Sequence, residues 1–361
     1  MKQLKNEIGN LLDGATGSGA AISLESLELS KIVKDLSQPT IERINSFEDI
    51  INIEVGDTSL TRARNVERET GLRQIFLKFE GGNPTGTQKD RIAFAQCLDA
   101  LRRGYDTVTL ATCGNYGASM ALAAWLAGLK CVVCIPEAYH TERIKDMEKF
   151  GVTISRTPGA YEDAVLFSQR LAEKEEFYDA NPGGINTALQ LQAYGELAFE
   201  IYDILRDAPK VVAAPVSNGT LLAGIYRGFV SLYKRGKTSR IPKMIGASST
   251  NKNPIILSFK KGLDHCIDLS PESIKETKIN EPLINWHSYD GEEALHAINH
   301  SKGWATWASD NKLSHYSKLL KEKEGLNVLP ASTAGLVGLL EMHKTMPFEG
   351  DRFVAILTGR K

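Results

Sequence analysis

The sequence predicts an α/β protein with two mostly parallel sheets. Short apolar runs alternate with longer amphipathic segments along the central part of the chain. The apolar runs are continuous rather than alternating, which is typical of parallel strands buried on both faces. The number of these runs favours two sheets. A length of 361 residues favours two domains at roughly 100–200 residues each.

Each predicted strand is a short apolar run, and each predicted helix is a periodic segment. The strands are predicted at 75–79, 107–112, 131–136, 152–157, 211–216, 243–248 and 353–357. The helices are predicted at 90–103, 116–127, 141–150, 161–175, 187–205, 219–235, 311–324 and 332–344. Several helices are followed by a glycine, such as Gly104, Gly128, Gly151 or Gly236, as the left-handed position after a helix prefers.

Two stretches lack this alternation. Residues 1–50 are predicted to form an N-terminal cap that is helical or irregular. Residues 250–290 contain the turn signals NKNP, SPES and NEPL. We therefore predict an irregular excursion over 250–290.

Composition and charge exclude several classes of partner. The net charge of −1 comes from interspersed acidic and basic residues, which gives no reason to expect nucleic acid or an acidic membrane. No apolar run approaches the roughly 18 residues of a membrane span. The N-terminus lacks the apolar stretch of a signal peptide and carries Glu7 and Asp13. We therefore expect a cytoplasmic protein.

Cysteine and histidine patterns favour core roles over redox or metal chemistry. Five scattered cysteines are an odd number that suits free thiols in a reducing compartment. Cys131 and Cys134 lie three residues apart in a predicted strand, so they point to opposite faces and are predicted to be core residues. His296 and His300 have metal-pair spacing on a helix, but no third ligand with motif spacing accompanies them. We expect no metal site.

Four loops at predicted strand ends carry the candidate chemistry, because sites in parallel α/β sheets lie beyond the carboxyl ends of the strands. The first loop is NPTGTQKDR, at 83–91. Its Lys89 precedes a helix, whose dipole lowers the proton affinity of an amine at that end. A desolvated lysine there can form a Schiff base. On these residues alone, a solvated surface turn is an equally good interpretation.

The second loop is TCGNYGAS, at 112–119, between a strand and a helix. Gly114 and Gly117 allow backbone N–H groups to approach an anion such as a carboxylate. Asn115 adds a neutral hydrogen-bond donor. An ordinary turn between strand and helix is the alternative.

The third and fourth loops carry small and hydroxyl side chains. In VSNGTLLAG, at 216–224, Ser217 to Thr220 can present consecutive N–H groups to a phosphate. In AILTGRK, at 355–361, a strand delivers the Thr358 hydroxyl to the edge of the sheet.

Together the loops resemble, in order and spacing, those of the pyridoxal-phosphate enzymes of the tryptophan-synthase-β type, and within that superfamily the threonine synthases. NPTGTQKDR resembles their N-P-T-G-S-F-K-D-R, and CGNYG at 113–117 resembles T-G-N-T-S. PVSNGT at 215–220 resembles P-V-G-N-G-G, LPASTA at 329–334 resembles E-P-A-S-A-A, and LTG at 357–359 matches L-T-G. VGDTSL at 55–60 resembles an upstream E-G-N-T-P-L, so the resemblance covers about residues 50–359.

The resemblance implies two three-layer α/β/α domains with mostly parallel sheets, and pyridoxal 5'-phosphate in the cleft between them. Residues 1–50 would be the N-terminal cap, 51–90 and 186–361 the large cofactor-binding domain, and 91–185 the small mobile substrate domain. The expected partners are a small amino-acid substrate and a second copy of the chain in a homodimer.

The resemblance also assigns roles to residues. Lys89 would be the catalytic residue and bind the cofactor aldehyde as an imine, Asn115 would hydrogen-bond the cofactor 3′-oxygen, and Thr358 would contact the pyridine nitrogen. The phosphate would be held by Val216, Ser217, Asn218, Gly219, Thr220 and Leu221. The substrate would be bound by Thr87, Thr112, Cys113, Gly114, Tyr116, Gly117, Asp179 and Asn181.

The clearest departure from the resemblance is YDANPGG, which begins at Tyr178. Threonine synthases have a pattern similar to N-S-x-N-P-x-R, whose Asn, Ser and Arg hold the substrate phosphate; here those positions are Tyr178, Asp179 and Gly184. Loss of such an Arg costs about 2–5 kcal/mol. A carboxylate about 5 Å from a phosphate costs about 3 kcal/mol at an effective dielectric of 20. Either a base such as Arg143 or Lys145 compensates, or the substrate is not O-phosphohomoserine.

The expected activity is a pyridoxal-phosphate-dependent elimination or replacement in amino-acid biosynthesis. The threonine synthase reaction, a lyase reaction that converts O-phosphohomoserine and water to threonine and phosphate, is the closest named activity. The alternatives are β-replacement of the cysteate- or cysteine-synthase kind and dehydration of a hydroxy amino acid. A catalytically silent binding module is disfavoured because Lys89, Asn115 and Thr358 occur together.

Overall fold

The computed structural model describes residues 22–112, 114–139 and 143–361. Its strands are β1 (Leu60–Arg62), β2 (Ile75–Phe79), β3 (Thr107–Ala111), β4 (Lys130–Pro136), β5 (Thr153–Thr157), β6 (Tyr178–Asp179), β7 (Val211–Pro215), β8 (Lys243–Ser249), β9 (Trp304–Ala308) and β10 (Phe353–Leu357). Its helices are α1 (Leu24–Lys34), α2 (Thr40–Glu54), α3 (Arg64–Thr70), α4 (Lys89–Arg102), α5 (Asn115–Ala127), α6 (Arg143–Lys149), α7 (Tyr161–Glu175), α8 (Thr187–Leu205), α9 (Thr220–Lys234), α10 (Pro254–Lys260), α11 (Gly291–His300), α12 (Asp310–Glu324) and α13 (Ala334–Thr345).

The chain forms two compact units, each built on one sheet. The first unit extends to Gly56 and includes Asn83–Gln190, and the second comprises Asp57–Gly82 and Leu191–Lys361. In the first unit, four parallel strands have the order β5-β4-β3-β6. In the second, six strands have the order β1-β2-β10-β7-β8-β9 and are parallel except for the edge pair β1–β2. The predicted α/β class with two mostly parallel sheets is confirmed; the predicted domain bounds and cofactor position stay predictions.

Three strands in the interior of the two sheets are buried along their whole length, as continuous apolar runs predict. Every residue of β3, β7 and β10 is buried. In the second unit, Leu77, Val211 and Ile245 from the sheet share a core with Leu339 from a helix. Cys131 and Cys134 are buried free thiols, which confirms their predicted place in the core.

The N-terminal region is helical where it is described. The ring of Phe47 on α2 stacks on Phe94 of α4, with centroids 6.1 Å apart. The Ser30 hydroxyl on α1 donates to the Leu126 carbonyl at 2.9 Å. These contacts attach both helices to the first unit. The rest of the predicted cap, residues 1–21, lies outside the described residues.

The prediction of an irregular stretch over 250–290 is wrong for α10. Asn253 is its N-cap, and the Asn253 side chain accepts hydrogen bonds from the N–H groups of Ile255 and Ile256. Pro254 occupies the first helical position. The tetrapeptide NKNP is therefore a helix start of the Asn-then-Pro kind and not only a turn.

Strand β9 was also not predicted. It is an edge strand that pairs with β8; Ala305 and Ala308 are buried, and its other three residues are half-buried. Its sequence, WATWA, contains none of the valine, isoleucine or leucine residues that fill the predicted strands. Within the described part of the chain, no helix has the length and apolar character needed to cross a membrane.

Candidate active site

Lys89 is the first residue of α4 and follows directly on the 83–88 turn. Its side chain is half-buried, and its Nζ lies 5.4 Å from the ring centroid of Tyr116. Its backbone N–H donates to the buried Thr87 hydroxyl at 2.9 Å. The helix N-terminus favours the neutral amine, the form that attacks an aldehyde, whereas the ring face attracts the ammonium form.

Asp90 fixes the shape of the turn that carries the lysine. Its buried carboxylate accepts hydrogen bonds from the Thr85 N–H at 2.8 Å and from the Thr85 hydroxyl at 2.6 Å. The Thr85 hydroxyl also lies 2.9 Å from the Ser119 hydroxyl on α5. Gly86 turns the chain at a φ of +84°. Since residues 83–87 are all buried, the interpretation of this loop as a solvated surface turn is wrong.

The second predicted loop leads from β3 into α5, whose first residue is Asn115. The Gly114 N–H donates to the buried Thr112 hydroxyl at 3.3 Å. A Cβ at Gly117 would lie 2.4 Å from the Met147 side chain and 2.8 Å from that of Thr112. Glycine at 117 therefore keeps the first turn of α5 close to its neighbours.

Tyr116 presents its ring rather than its hydroxyl to Lys89. The residue is buried, and its hydroxyl donates to the Ala180 carbonyl at 2.8 Å and is paired with the Gln96 amide. The hydroxyl is thus engaged inside the unit, and the ring is held in place beside the lysine. Cys113, also predicted to contact substrate, lies outside the described residues.

Asn181 links the ends of β3 and β6. It is fully buried, its side-chain oxygen accepts from the Ala111 N–H at 2.7 Å, and its amide donates to Ser168 at 3.0 Å and Asp179 at 2.6 Å. Its backbone N–H donates to the same Asp179 oxygen at 2.9 Å. The side chain that was predicted to bind substrate therefore holds the backbone together here.

Asp179 is a nearly buried carboxylate at the carboxyl end of β6. It is 8% exposed, and burial raises the pKa of its carboxyl group against the opposing effect of the bonds from Asn181. Its second oxygen lies 2.6 Å from the place that a Cβ on Gly184 would occupy. A side chain at position 184 would have to displace this carboxylate.

The third predicted loop leads from β7 into α9. Gly219 has a φ of +98°, and a Cβ there would lie 2.7 Å from both Ala294 Cβ and the Asp290 carbonyl oxygen. The buried Thr220 hydroxyl donates to the Asp290 carboxylate. The flanking residues Val216 and Leu221 are both buried. The loop therefore has a backbone that only glycine fits at its centre.

Polar side chains hold this loop from its carbonyl side. The Ser217 carbonyl accepts from the Asn253 amide at 3.0 Å and from the Ser288 hydroxyl at 3.3 Å. The Asn285 amide donates to the Asn218 side chain at 3.3 Å. The sequence does not predict that Asn253, Asn285, Ser288 and Asp290 support this loop. The Asn-Pro pair at 253–254 is a local signal at one of these positions, but it was predicted to form a turn.

The N–H side of the same loop suits an anion. Among the residues that the structure describes, none accepts a hydrogen bond from the N–H groups of Ser217, Gly219 or Thr220. The first N–H groups of a helix also have no acceptor within the helix. A phosphate at this helix N-terminus would satisfy these donors, so the loop fits the phosphate of pyridoxal phosphate.

The fourth predicted residue, Thr358, follows β10 and is half-buried. Its hydroxyl lies 3.0 Å from the buried Ser332 hydroxyl. The Gly359 N–H donates to the same Ser332 oxygen at 2.7 Å. Thr358 is therefore supported by a second alcohol, a neutral group.

Comparisons of the sequence agree with this chemistry. A family model described as "Pyridoxal-phosphate dependent enzyme" matches residues 51–359. The threonine synthase of Methanocaldococcus jannaschii is 32% identical over 315 residues, which cover 86% of this chain and 76% of that protein. The threonine synthase of Mycobacterium bovis is 31% identical over 307 residues, which cover 84% of this chain and 81% of that protein.

Solved structures share the fold at lower identity. The processed form of threonine deaminase isoform 2 from Solanum lycopersicum has a TM-score of 0.71 at 18% identity and covers 95% of this chain and 91% of that chain. Maize serine racemase has a TM-score of 0.71 at 19% identity and covers 88% of this chain and 93% of that chain. From the family match and the threonine synthase relatives together, the chain belongs to the pyridoxal-phosphate dependent enzymes.

Proposed function

We propose that the chain catalyses an elimination or replacement on an amino acid of the threonine synthase kind, in which O-phosphohomoserine and water give threonine and phosphate. The observation that carries the proposal is the pair of alcohols Thr358 and Ser332, 3.0 Å apart. A pyridine nitrogen that faces an alcohol rather than a carboxylate stays unprotonated. A bound cofactor would then take up less of the negative charge from the substrate Cα, which would favour elimination and replacement over transamination. The relatives named threonine synthase support the choice of reaction.

In this proposal each loop has one task. Pyridoxal phosphate, when bound, withdraws electrons from the substrate Cα. The Lys89 amine would hold the cofactor aldehyde, and as a free base it would take the proton from the substrate Cα and return it elsewhere on the substrate chain. Residues 112–117 bind the substrate carboxylate, and Asn115 donates to the cofactor 3′-oxygen. Residues 216–221 bind the cofactor phosphate through backbone N–H groups, each charge-assisted bond contributing about 1.5–3 kcal/mol.

Asp179 favours a second candidate, in which the substrate carries no phosphate. Its nearly buried carboxylate lies at the carboxyl end of β6, in the segment predicted to bind substrate, and glycine at 184 supplies no positive charge. A phosphate about 5 Å away would be repelled by about 3 kcal/mol at an effective dielectric of 20. A hydroxyl or an ammonium group would instead be attracted. The corresponding reactions are β-replacement and dehydration of a hydroxy amino acid.

A substrate panel separates the two candidates. The purified holoenzyme is mixed in turn with O-phosphohomoserine, O-phosphoserine, O-acetylserine and threonine, and the absorption of the cofactor and the release of phosphate are followed. A spectral change and phosphate release with O-phosphohomoserine support threonine synthase activity. A response only to the unphosphorylated compounds supports the second candidate, and Asp179→Asn should then raise kcat/KM for the phosphorylated ones.

The same panel tests the role of Lys89. Lys89→Ala should bind the cofactor without the yellow colour of the lysine imine and should not turn over any substrate. Gln88→Ala, a change at the half-buried neighbouring residue, is the matched control and should stay yellow. A yellow, fully active Lys89→Ala protein would remove the lysine from the mechanism. The predicted homodimer and the cytoplasmic location stay predictions.

A further inference from the structure

We propose that Ser332 is a positioning residue that makes the Thr358 hydroxyl a hydrogen-bond donor toward the pyridine nitrogen of the cofactor. The proposal rests on the proposed function, which places Thr358 at that nitrogen. It adds that Thr358 donates the hydrogen bond to the nitrogen, and that Ser332 is the residue that sets this direction. In the proposed function Ser332 has no role beyond its contact with Thr358.

The direction starts at a backbone group that can only donate. The Gly359 N–H donates to Ser332 Oγ at 2.7 Å. Ser332 is 1% exposed, so water does not compete for this oxygen. Having accepted one hydrogen bond, the Ser332 hydroxyl still has its single proton to donate.

Two oxygens lie within reach of that proton. The Gly359 carbonyl oxygen is 3.2 Å away and already accepts a hydrogen bond from the Leu329 N–H at 3.2 Å. The Thr358 hydroxyl oxygen is closer, at 3.0 Å. The shorter distance favours donation from Ser332 to Thr358. The hydrogen bonds then run in one direction, from Gly359 to Ser332 to Thr358.

This direction leaves the Thr358 proton for a third group. An unprotonated pyridine nitrogen is an acceptor only, so it requires a donor. If Thr358 donated to Ser332 instead, its oxygen would present a lone pair to the lone pair of the nitrogen. In the proposed direction each hydroxyl accepts before it donates, which polarises it and strengthens the next bond in the series.

Nitrogen NMR of the bound cofactor tests the proposal without reference to activity. Pyridoxal phosphate labelled with ¹⁵N in the ring is bound to the wild-type protein and to the Thr358→Val and Ser332→Ala variants. A hydrogen bond to the ring nitrogen moves its resonance upfield. We expect Thr358→Val to remove this upfield shift and Ser332→Ala to remove part of it.

Each other outcome has a definite meaning. An unchanged or further upfield resonance in Ser332→Ala overturns the role of Ser332, because the hydrogen bond from Thr358 would then be independent of it or opposed by it. A resonance that does not move in Thr358→Val shows that Thr358 does not contact the nitrogen, so the placement in the proposed function fails instead.

Conservative variants keep the test informative if the alanine protein does not fold. Ser332→Thr retains a hydroxyl and should give the wild-type resonance. Ser332→Cys retains the shape but has a weak donor, and its resonance should lie between those of wild type and Thr358→Val. A cysteine variant with the wild-type resonance contradicts the proposal, since the donor strength of residue 332 would not matter.

Discussion

At the scale of single residues, buried polar side chains fix the backbone beside each predicted site residue. Asp90 does so next to Lys89, Asn181 beyond β6, and Ser332 next to Thr358. Because a buried polar group that loses its partner costs about 1–3 kcal/mol, each of these contacts is expected to be visible in the stability of the protein.

Removing the Asp90 carboxylate should destabilise the lysine loop. Asp90→Ala takes away the acceptor of two hydrogen bonds from Thr85, and we expect the free energy of unfolding to fall by about 2–4 kcal/mol. Denaturant unfolding measures the change. Asp203→Ala, whose side chain is 68% exposed on α8, is the control and should stay within about 0.5 kcal/mol of wild type. Equal stability of the two variants would contradict the role given to Asp90.

The Asp179 carboxylate should make stability depend on pH. Burial raises its pKa in the folded protein above the ordinary value of 3.8. Between the ordinary and the raised pKa, the folded state binds more protons than the unfolded state. The contribution of this group to the free energy of unfolding therefore decreases as pH rises through that window and is constant above it.

The comparison with Asp179→Asn isolates this effect. The amide retains an oxygen that can accept the bonds from Asn181 but does not titrate. The free energy of unfolding of wild type minus that of the variant should fall as pH rises from about 3.8 and then level off. Urea unfolding at a series of pH values measures it. A difference that is flat or that rises with pH would show that burial does not govern this carboxyl.

At the scale of elements, helix α9 is flanked by a glycine at each end, and the two glycines differ in how closely their neighbours approach them. Gly219 precedes the helix and has no room for a Cβ, whereas Gly236 follows it with a φ of +67° and no atom within 4 Å of the Cβ position. Both glycines have a left-handed backbone, but only at Gly219 do neighbouring atoms also leave no space for a side chain.

Alanine at these two glycines should therefore have unequal effects. Gly236→Ala should cost only the strain of the left-handed backbone, about 1–2 kcal/mol. Gly219→Ala should cost about 1–3 kcal/mol more because of the contacts with Ala294 and Asp290, and it should weaken the binding of pyridoxal phosphate. Unfolding by denaturant and titration of the cofactor into apoprotein measure the two effects. Equal losses in both variants would mean that the loop adjusts to the added methyl group.

The sequence predicts most strands and helices because the patterns that identify them lie within each segment. The continuous apolar runs of β7 and β10 and the periodic segment of α8 identify those elements without any knowledge of partners. Strand β9 and helix α10 were missed, although the edge strand β5 and the equally short helix α6 were predicted. The cap at Asn253 was readable in principle, from an asparagine followed by proline.

At the scale of the whole molecule, each candidate site loop is a local motif that is supported by residues far away along the chain. Lys89, the 216–221 loop and Thr358 each follow a strand or turn that the sequence predicts. The residues that support the 216–221 loop are not predicted in this way: Asn253, Asn285 and Asp290 lie 36 to 70 positions along the chain from the residues they contact. One sequence contains no signal for such pairs, because no periodicity or spacing relates their positions.

Binding of the cofactor should stabilise the whole chain in proportion to its affinity. A ligand bound only by the folded state contributes RT ln(1 + [L]/Kd), which is about 4 kcal/mol at 1,000 times Kd. The N–H groups of Ser217, Gly219 and Thr220, for which no acceptor lies among the described residues, predict that much of this affinity comes from the phosphate. Pyridoxal, which has the ring and the aldehyde but no phosphate, should therefore raise the unfolding midpoint much less than pyridoxal phosphate at the same concentration.

Thermal or denaturant unfolding of apoprotein with each compound measures the difference between the two midpoints. Gly219→Ala should reduce this difference, whereas Gly236→Ala should not. Equal stabilisation by the two compounds would mean that the phosphate is not bound by the 216–221 loop.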